Sequence, residues 1–401
     1  MKKKIAIIGG GSSALALAAA LDEHKFDMTI YERQAALGRK FLVAGDGGFN
    51  LTHSEDMEHF ITRYTSESPN LTKSLRAFTN IDTRTWFTSI GIDTYIGSSK
   101  RVFPLKGIKP IQVLNAILTV LKNKNVHVKT FHTWQGWTVE NDLLMSHKDQ
   151  KVVVKADIVI FSLGGASWSK TGSDGQWTRF FEEKNILIVP FRASNCAYRV
   201  VWSDIFLSQA EGKSLKNIAL SCDDKRQKGE VVITRFGLEG GAIYALSPAI
   251  RQQLKAQKIA IVHLDLKPVL SELEIKTKFL QKGRQSIANI LRDQLHLSDA
   301  AIALLKSQLS KIEFTNPEIL AANIKTLPLS ITATAPIDDA ISTVGGIVYD
   351  ELDDYFQFKK LPNHYAIGEM LDWDAPTGGY LLQACFSMGH YLADKLNTKY
   401  P

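Results

Sequence analysis

The tightest constraint on this chain lies in its first fifteen positions. Ile5-Ala6-Ile7-Ile8, a short apolar and mostly β-branched run, leads directly into Gly9-Gly10-Gly11-Ser12-Ser13-Ala14. Such a run suits a parallel strand buried on both faces. The turn after it has the form G-x-G-x-x-A. Gly9 permits a tight turn, Gly11 lets a ligand approach the backbone, and Ala14 is small enough for a helix to pack closely on the strand. Ala14, Leu17, Ala18 and Leu21 then recur at helical spacing. The start of that helix, with its unpaired N–H groups and positive dipole end, is a place for phosphate. A second strand, Met28-Thr29-Ile30-Tyr31, ends at Glu32, which stands 21 residues past Gly11. An acid there accepts hydrogen bonds from a ribose and repels a 2′-phosphate. Strand, turn, helix, second strand and terminal acid together predict a dinucleotide site built from Gly9, Gly11, Ser12, Ser13, Ala14 and Glu32. NADP is disfavoured as its ligand.

Three further regions point to FAD rather than NAD. Leu37-Gly38-Arg39-Lys40 precedes a glycine-dense stretch, Ala44-Gly45-Asp46-Gly47-Gly48-Phe49-Asn50-Leu51-Thr52. This fits backbone wrapped around a long extended cofactor, with Arg33, Arg39 and Lys40 as cationic neighbours and Asn50, Leu51 and Thr52 closing the wall. Ala156 to Phe161 reads as a buried strand running through Ser162 into Leu163-Gly164-Gly165. Near the end, Tyr365-Ala366-Ile367-Gly368-Glu369 reads as a strand ending in glycine and an acid. Gly378-Gly379-Tyr380-Leu381 then opens a helix with apolar positions at Leu381, Cys385, Met388 and Leu392. The start of that helix is expected to face the flavin edge that becomes anionic on reduction.

Composition narrows the alternatives. The chain has 401 residues, 45% of them apolar and 22% charged, which is enough for two or three domains. Three widely spaced cysteines, Cys196, Cys222 and Cys385, form no CxxC pair, and the ten histidines form no HxxxH or HExxH pattern. Disulfide-reductase chemistry and a structural metal are therefore disfavoured. No apolar run reaches the length of a membrane span. Lys2-Lys3-Lys4 and the apolar stretch after it imitate a secretory signal, but Gly9-Gly10-Gly11 interrupts that stretch. The segment is read as mature structure and the protein as cytoplasmic, with no membrane partner. The net charge of +7 permits nucleic acid as a partner without requiring it. Nothing in the sequence sets an oligomeric state.

These motifs resemble the bacterial HI0933-like flavoproteins, the family that includes aminoacetone oxidase-like enzymes. The shared stretches are the Gly9 turn with Glu32, Leu37 to Lys40, Asn50-Leu51-Thr52, Arg101-Val102-Phe103-Pro104, Gly164-Gly165, Thr234-Arg235-Phe236-Gly237-Leu238, Gly345-Gly346, and Gly368-Glu369 through Tyr380. They run nearly end to end. The chain departs from the common pattern at Gly47-Gly48-Phe49, where relatives often carry Gly-Arg-Cys, and at Leu381, where they often carry Asn. It resembles a divergent subgroup. The resemblance implies an α/β protein with a Rossmann-type FAD-binding domain in three ββα layers, interrupted by a β-barrel-like insert and a small helical insert. The expected segments are 1–189 and 333–401 for the FAD domain, 190–268 for the β-rich insert and 269–332 for the helical insert. Alternation in Glu230 to Thr234 and Ile259 to Val262 supports the first insert. Helical spacing of Ile287, Ile290 and Leu291, and of Ile302, Leu305 and Leu309, supports the second.

FAD would carry the redox chemistry. No second dinucleotide turn occurs, so any NAD(P)H is expected to act as a transient electron donor. Asp46, Arg101, Glu239 and Asp374 are polar candidates near flavin or substrate, and Trp168, Trp177, Phe236 and Tyr380 aromatic ones. Each also has an ordinary structural reading, and none declares itself a catalytic acid or base. The expected function is a FAD-dependent oxidoreductase working by flavin hydride transfer on a small molecule that the sequence does not name, such as a small-amine oxidase of the aminoacetone type or a reductase of an unsaturated compound. The alternative is an rRNA-modifying flavoenzyme reducing a uridine in structured RNA. Lys276, Lys278, Lys282, Arg284, Arg292, Lys306 and Lys311 favour that alternative, although Glu272, Glu274, Asp293 and Asp299 interrupt the set. A non-enzymatic redox partner protein is a third reading.

Overall fold

The run Ile5 to Ile8 is wholly buried because it lies at the centre of a sheet. In the computed structural model, which describes residues 1–43, 49–65, 68–281 and 285–400, five parallel strands stand in the order His364–Ala366, Ile158–Phe161, Lys3–Ile8, Phe26–Tyr31 and His127–Lys129. Parallel pairing needs crossovers, and these place helices on the sheet. The first crossover helix, Ser12–Ala20, buries every residue from Ser13 to Ala19. It is covered by the C-terminal helix, Tyr380–Lys399, and by Pro110–Asn123. An antiparallel meander, His132–Trp137, Leu143–His147 and Gln150–Val154, covers the sheet through Trp134, whose ring centroid lies 4.7 Å from that of Phe161. The result is the expected ββα layering.

A small three-stranded sheet in the same unit joins Thr52–His53, Arg101–Pro104 and Thr94–Ile96. It carries two of the stretches picked out in the sequence and sets them beside the start of the C-terminal helix.

The chain forms two compact units, one of residues Met1–Arg192 with Ile341–Pro401 and one of Ala193–Ala340. The second has its own core, with Tyr198, Leu220, Val231, Leu264, Phe279, Leu304 and Leu320 all buried. Its seven strands are antiparallel. The edge strands, Leu327–Ile331 and Ala333–Thr334, are separated by the single residue Thr332. One continuous stretch thus lines both edges, which requires the sheet to curl into a barrel-like form. The helices Glu272–Leu280, Asp299–Gln308 and Pro317–Thr326 pack into that same core. Ile290, Leu291, Ile302 and Leu305 are buried there, with Ile287 and Leu309 packed against it.

No described helix is long and apolar enough to cross a membrane. Among the described residues, no three His, Cys, Asp or Glu side chains gather as a metal site would require.

Candidate functional site

The glycine turn is held from two sides. Gly9 has φ +97°, and a Cβ there would fall 2.3 Å from the Ser162 carbonyl oxygen, so the turn is clamped against the end of the neighbouring strand. Glu32 braces it from the other side, its Oε2 accepting the Gly10 N–H at 2.8 Å while its Oε1 accepts the Gln34 N–H at 2.8 Å. Gly11 differs from both neighbours. A Cβ placed on it would meet nothing within 4 Å, and the residue is exposed. Bare backbone therefore faces open space where the helix Ser12–Ala20 begins, and Gly11 caps that helix without a side-chain hydrogen bond. Ser13 sits just inside, its hydroxyl 2.6 Å from that of Ser162, and Ala14 is fully buried.

The cationic residues picked out near this turn have protein partners. Arg33 donates to Asp174 at 2.8 Å, and Arg39 to Gln34 Oε1 and the Lys170 carbonyl. Lys40 donates to Ser167 Oγ at 2.7 Å and to Glu369 Oε2 at 2.8 Å, while Glu369 Oε1 accepts the Thr343 N–H. Lys40, Gly165 and Glu369 are thus brought together, with Glu369 3.1 Å from where a Gly165 Cβ would stand. Gly164 has φ +72°, and its carbonyl accepts the Trp177 indole N–H at 3.2 Å; Leu163 is partly buried. The Cys385 thiol lies close to this group, and burial pushes its pKa up to about 12, so it is no thiolate near neutrality.

A second cluster forms at the start of the C-terminal helix. Gly379 has φ +106°, and a Cβ on it would fall 2.4 Å from the Thr52 carbonyl carbon. This contact ties Asn50-Leu51-Thr52 to the helix start. Leu51 and Thr52 are wholly buried, Asn50 and Leu381 partly. The Tyr380 hydroxyl donates to Glu55 Oε1 at 2.5 Å. Arg63 holds Glu55 with two hydrogen bonds, at 3.1 and 2.9 Å. His53 stacks on the Tyr380 ring at 5.3 Å between centroids and accepts the Glu55 N–H on Nδ1. Burial opposes the Glu55 charge, but the bonds from Arg63 and Tyr380 outweigh it and hold the carboxyl below its usual range. Burial, with the Glu55 carboxylate beside it, raises the Tyr380 phenol, and burial lowers the His53 imidazole. Near neutrality Glu55 is charged, Tyr380 protonated and His53 neutral. The group braces the helix start and is poorly suited to give or take a proton.

Sequence reasoning reached Tyr380 and Arg101 but not His53, Glu55, Arg63, Ser162, Thr343 or Asp174. Asn80 is another omission: its amide donates to the carbonyls of His53 and Glu55 and pins their loop. Asp374 is buried, its carbonyl accepting the Thr65 N–H. Trp168 is 39% exposed with a left-handed backbone. Glu239 and Phe236 belong to the second unit. Asp46, and with it the stretch 44–48, lies outside the described residues.

These features fit FAD. An open backbone cradle sits at a helix start, an acid closes the second strand, and a glycine pair opens a second helix. Thr52 adds a buried hydroxyl with no hydrogen-bond partner.

A parallel sheet with such a turn defines a Rossmann-type nucleotide-binding protein. The family model described as HI0933-like protein Rossmann domain matches residues 3–395, and the chain belongs to that family. It is similar to the 3-dehydro-bile acid delta(4,6)-reductase of Clostridium scindens, with 26% identity over 99% of this chain and 100% of the relative. It is also similar to the ribosomal RNA dihydrouridine synthase of Haemophilus influenzae, with 23% identity over 96% of each chain. Among solved structures, 3-ketosteroid delta1-dehydrogenase from Sterolibacterium denitrificans shares the fold at a TM-score of 0.51 and 11% identity, covering 99% of this chain and 100% of the other. A flavocytochrome c3 fumarate reductase does so at 0.50 and 14% identity, covering 99% and 78%. The chain is a FAD-dependent oxidoreductase.

Proposed function

We propose that this enzyme transfers hydride between FAD and an organic substrate whose carbon–carbon double bond is conjugated with a carbonyl. The names of two relatives, a 3-dehydro-bile acid delta(4,6)-reductase and a ribosomal RNA dihydrouridine synthase, support a reduction of this kind. In this reading Gly9, Gly11, Ser12, Ser13 and Ala14 take the pyrophosphate, and Glu32 the ribose through lone pairs left over from its two backbone bonds. Arg33 and Arg39 hold the wall of that pocket, with Leu163, Gly164 and Gly165 beneath the cofactor. Lys40 and Glu369 lie as a neutralised pair beside Gly368. Asn50, Leu51, Thr52, Gly379, Tyr380 and Leu381 border the ring. FAD supplies the hydride chemistry when bound, and the chain supplies position and charge. NAD(P)H serves as a transient donor, and the protein works in the cytoplasm.

The observation that carries this reading is the open space at Gly11. Its test is direct. Purified wild-type protein should be yellow with one FAD per chain, and Gly11→Val should be colourless but folded. A yellow Gly11→Val protein with full FAD content would refute the placement. Anaerobic mixing with NADH, NADPH or a panel of amines, followed at the flavin bands, then separates reductase from amine oxidase. Reduction by amines with release of hydrogen peroxide in air would favour the oxidase.

A second reading, reduction of a uridine in ribosomal RNA, draws on the Haemophilus influenzae relative. Two of the seven basic residues offered for it have acidic partners, and a third lies over an aromatic ring. Lys276 pairs with Glu318 and Arg292 with Asp299, while Lys306 lies over the Phe314 ring. Lys282 and Arg284 lie outside the described residues. A salt-dependent gel shift with structured rRNA fragments would restore this reading.

A further inference from the structure

We propose that Arg101, the start of the helix Tyr380–Lys399 and the Thr52 hydroxyl form one oxyanion site for the pyrimidine edge of the flavin, so that Arg101 sets how readily bound FAD is reduced. The proposal rests on the FAD reading above and assigns a function to a charge left unmatched among the described residues.

Neighbouring charges in this region are accounted for: Glu55 with Arg63, Lys40 with Glu369, Arg33 with Asp174. Arg101 is half-buried, and its guanidinium has no ion pair or hydrogen bond among the described residues. Its strand pairs it with His53, whose ring lies on Tyr380, and its Nε lies 3.4 Å from where a Gly378 Cβ would stand. The guanidinium is therefore held at the glycine pair that opens the helix. That helix is 20 residues long, and its cap, Gly379, offers no side chain. Gln383 is the first residue whose N–H reaches a helical carbonyl, that of Gly379. The N–H groups of Tyr380, Leu381 and Leu382 have no such partner, as helix geometry requires. Thr52, 0% exposed, packs its backbone on Gly379, and its Oγ1 has no partner. A buried hydroxyl is rarely left unsatisfied without a ligand or water to meet it. Guanidinium, helix start and hydroxyl together are a set of donors without an acceptor among the described residues.

The acceptor that suits them is a planar, delocalised anion. Two electrons and one proton from a reductant leave the flavin ring with one negative charge, spread over N1 and the C2 oxygen. Arg101 supplies the counter-charge in a partly desolvated setting, where it acts more strongly than in water. A substrate carboxylate would satisfy the same donors, and the test separates the two.

The holoenzyme, Arg101→Met and Arg101→Lys are reduced anaerobically with dithionite against a reference dye, and FAD per chain is read from absorbance. Arg101→Met should keep its FAD and lose at least tenfold in the reduction equilibrium, a midpoint about 30 mV lower for a two-electron couple. Arg101→Lys should recover part of the loss, since it returns the charge without the planar fork. If Arg101→Met fails to hold FAD, Arg101→Lys decides alone, a lowered midpoint supporting the proposal and an unchanged one overturning it. Wild-type midpoints in both variants would overturn it. So would a wild-type midpoint in Arg101→Met together with loss of a flavin-band response to added acetate, which would assign the guanidinium to a substrate carboxylate. Loss of FAD from both variants also overturns it, because the cofactor is anchored elsewhere. A wild-type protein without FAD would bring down the functional reading as well, and so is distinguishable from failure of this inference alone.

Discussion

Glu32 accepts two backbone N–H groups before any ligand reaches it. Glu32→Ala removes both acceptors and leaves the buried Gly10 N–H unpaired, which should destabilise the fold by about 1–3 kcal/mol. FAD affinity should fall at least tenfold in the same variant, read by quenching of FAD fluorescence. Lys40 and Glu369 offer a paired test. Removing either alone leaves a partly buried charge unmatched, whereas Lys40→Met with Glu369→Gln removes both. The double variant should unfold in urea at a higher concentration than the sum of the single losses predicts. Glu32 was legible because its spacing from Gly11 is fixed by one crossover. Glu55 was not. Its partner Tyr380 is 325 positions away, and no local pattern joins a loop acid to a distant helix start.

The two helices that meet at the cradle show where periodicity falls short. Ala14, Leu17, Ala18 and Leu21 marked one apolar face, yet the helix Ser12–Ala20 is buried almost all round. Its small residues are explained by the helix above. A Cβ on Gly389 would fall 2.7 Å from the Ser13 carbonyl oxygen and 2.8 Å from the Leu17 nitrogen. Read from sequence, a glycine in the middle of a helix is a weak position; in the fold it lets two backbones touch. Gly389→Leu should force the helices apart, lowering stability by about 1–3 kcal/mol as overpacking does. Because the displaced helix begins at the glycine pair assigned to the flavin ring, the variant should also bind FAD more weakly, by isothermal titration. The strands, by contrast, were legible almost residue for residue. Ile5 to Ile8 and Ile158 to Phe161 are buried on both faces and so read as unbroken apolar runs, while Met28 to Tyr31 is broken only by the partly buried Thr29.

Across the whole molecule, acid should be the weak point. His390 is half-buried in the first unit, stacked on Phe78 at 3.7 Å, with its buried Nε2 lacking a partner among the described residues. Burial lowers its pKa to about 4. The unfolded imidazole takes up a proton near pH 6.5 and the folded one only near 4, so unfolding is favoured increasingly as pH falls through that window. The loss should reach about 2 kcal/mol between pH 6.5 and 5, read from urea midpoints, and His390→Phe should flatten the profile. The second unit, with a separate core, should keep its own transition in the same experiment.

The central strand of the main sheet, Lys3–Ile8, and the helix that covers its crossover, Tyr380–Lys399, are far apart along the chain. Asn397 fastens the two regions, accepting the Asp22 N–H at 2.9 Å and donating to the Ala20 carbonyl at 3.1 Å. During translation the pocket therefore cannot close until that helix has left the ribosome. Nascent chains stalled before residue 380 should remain colourless with FAD present, and colour should appear only once the helix Tyr380–Lys399 has emerged, which stalling at successive lengths in a cell-free extract would reveal.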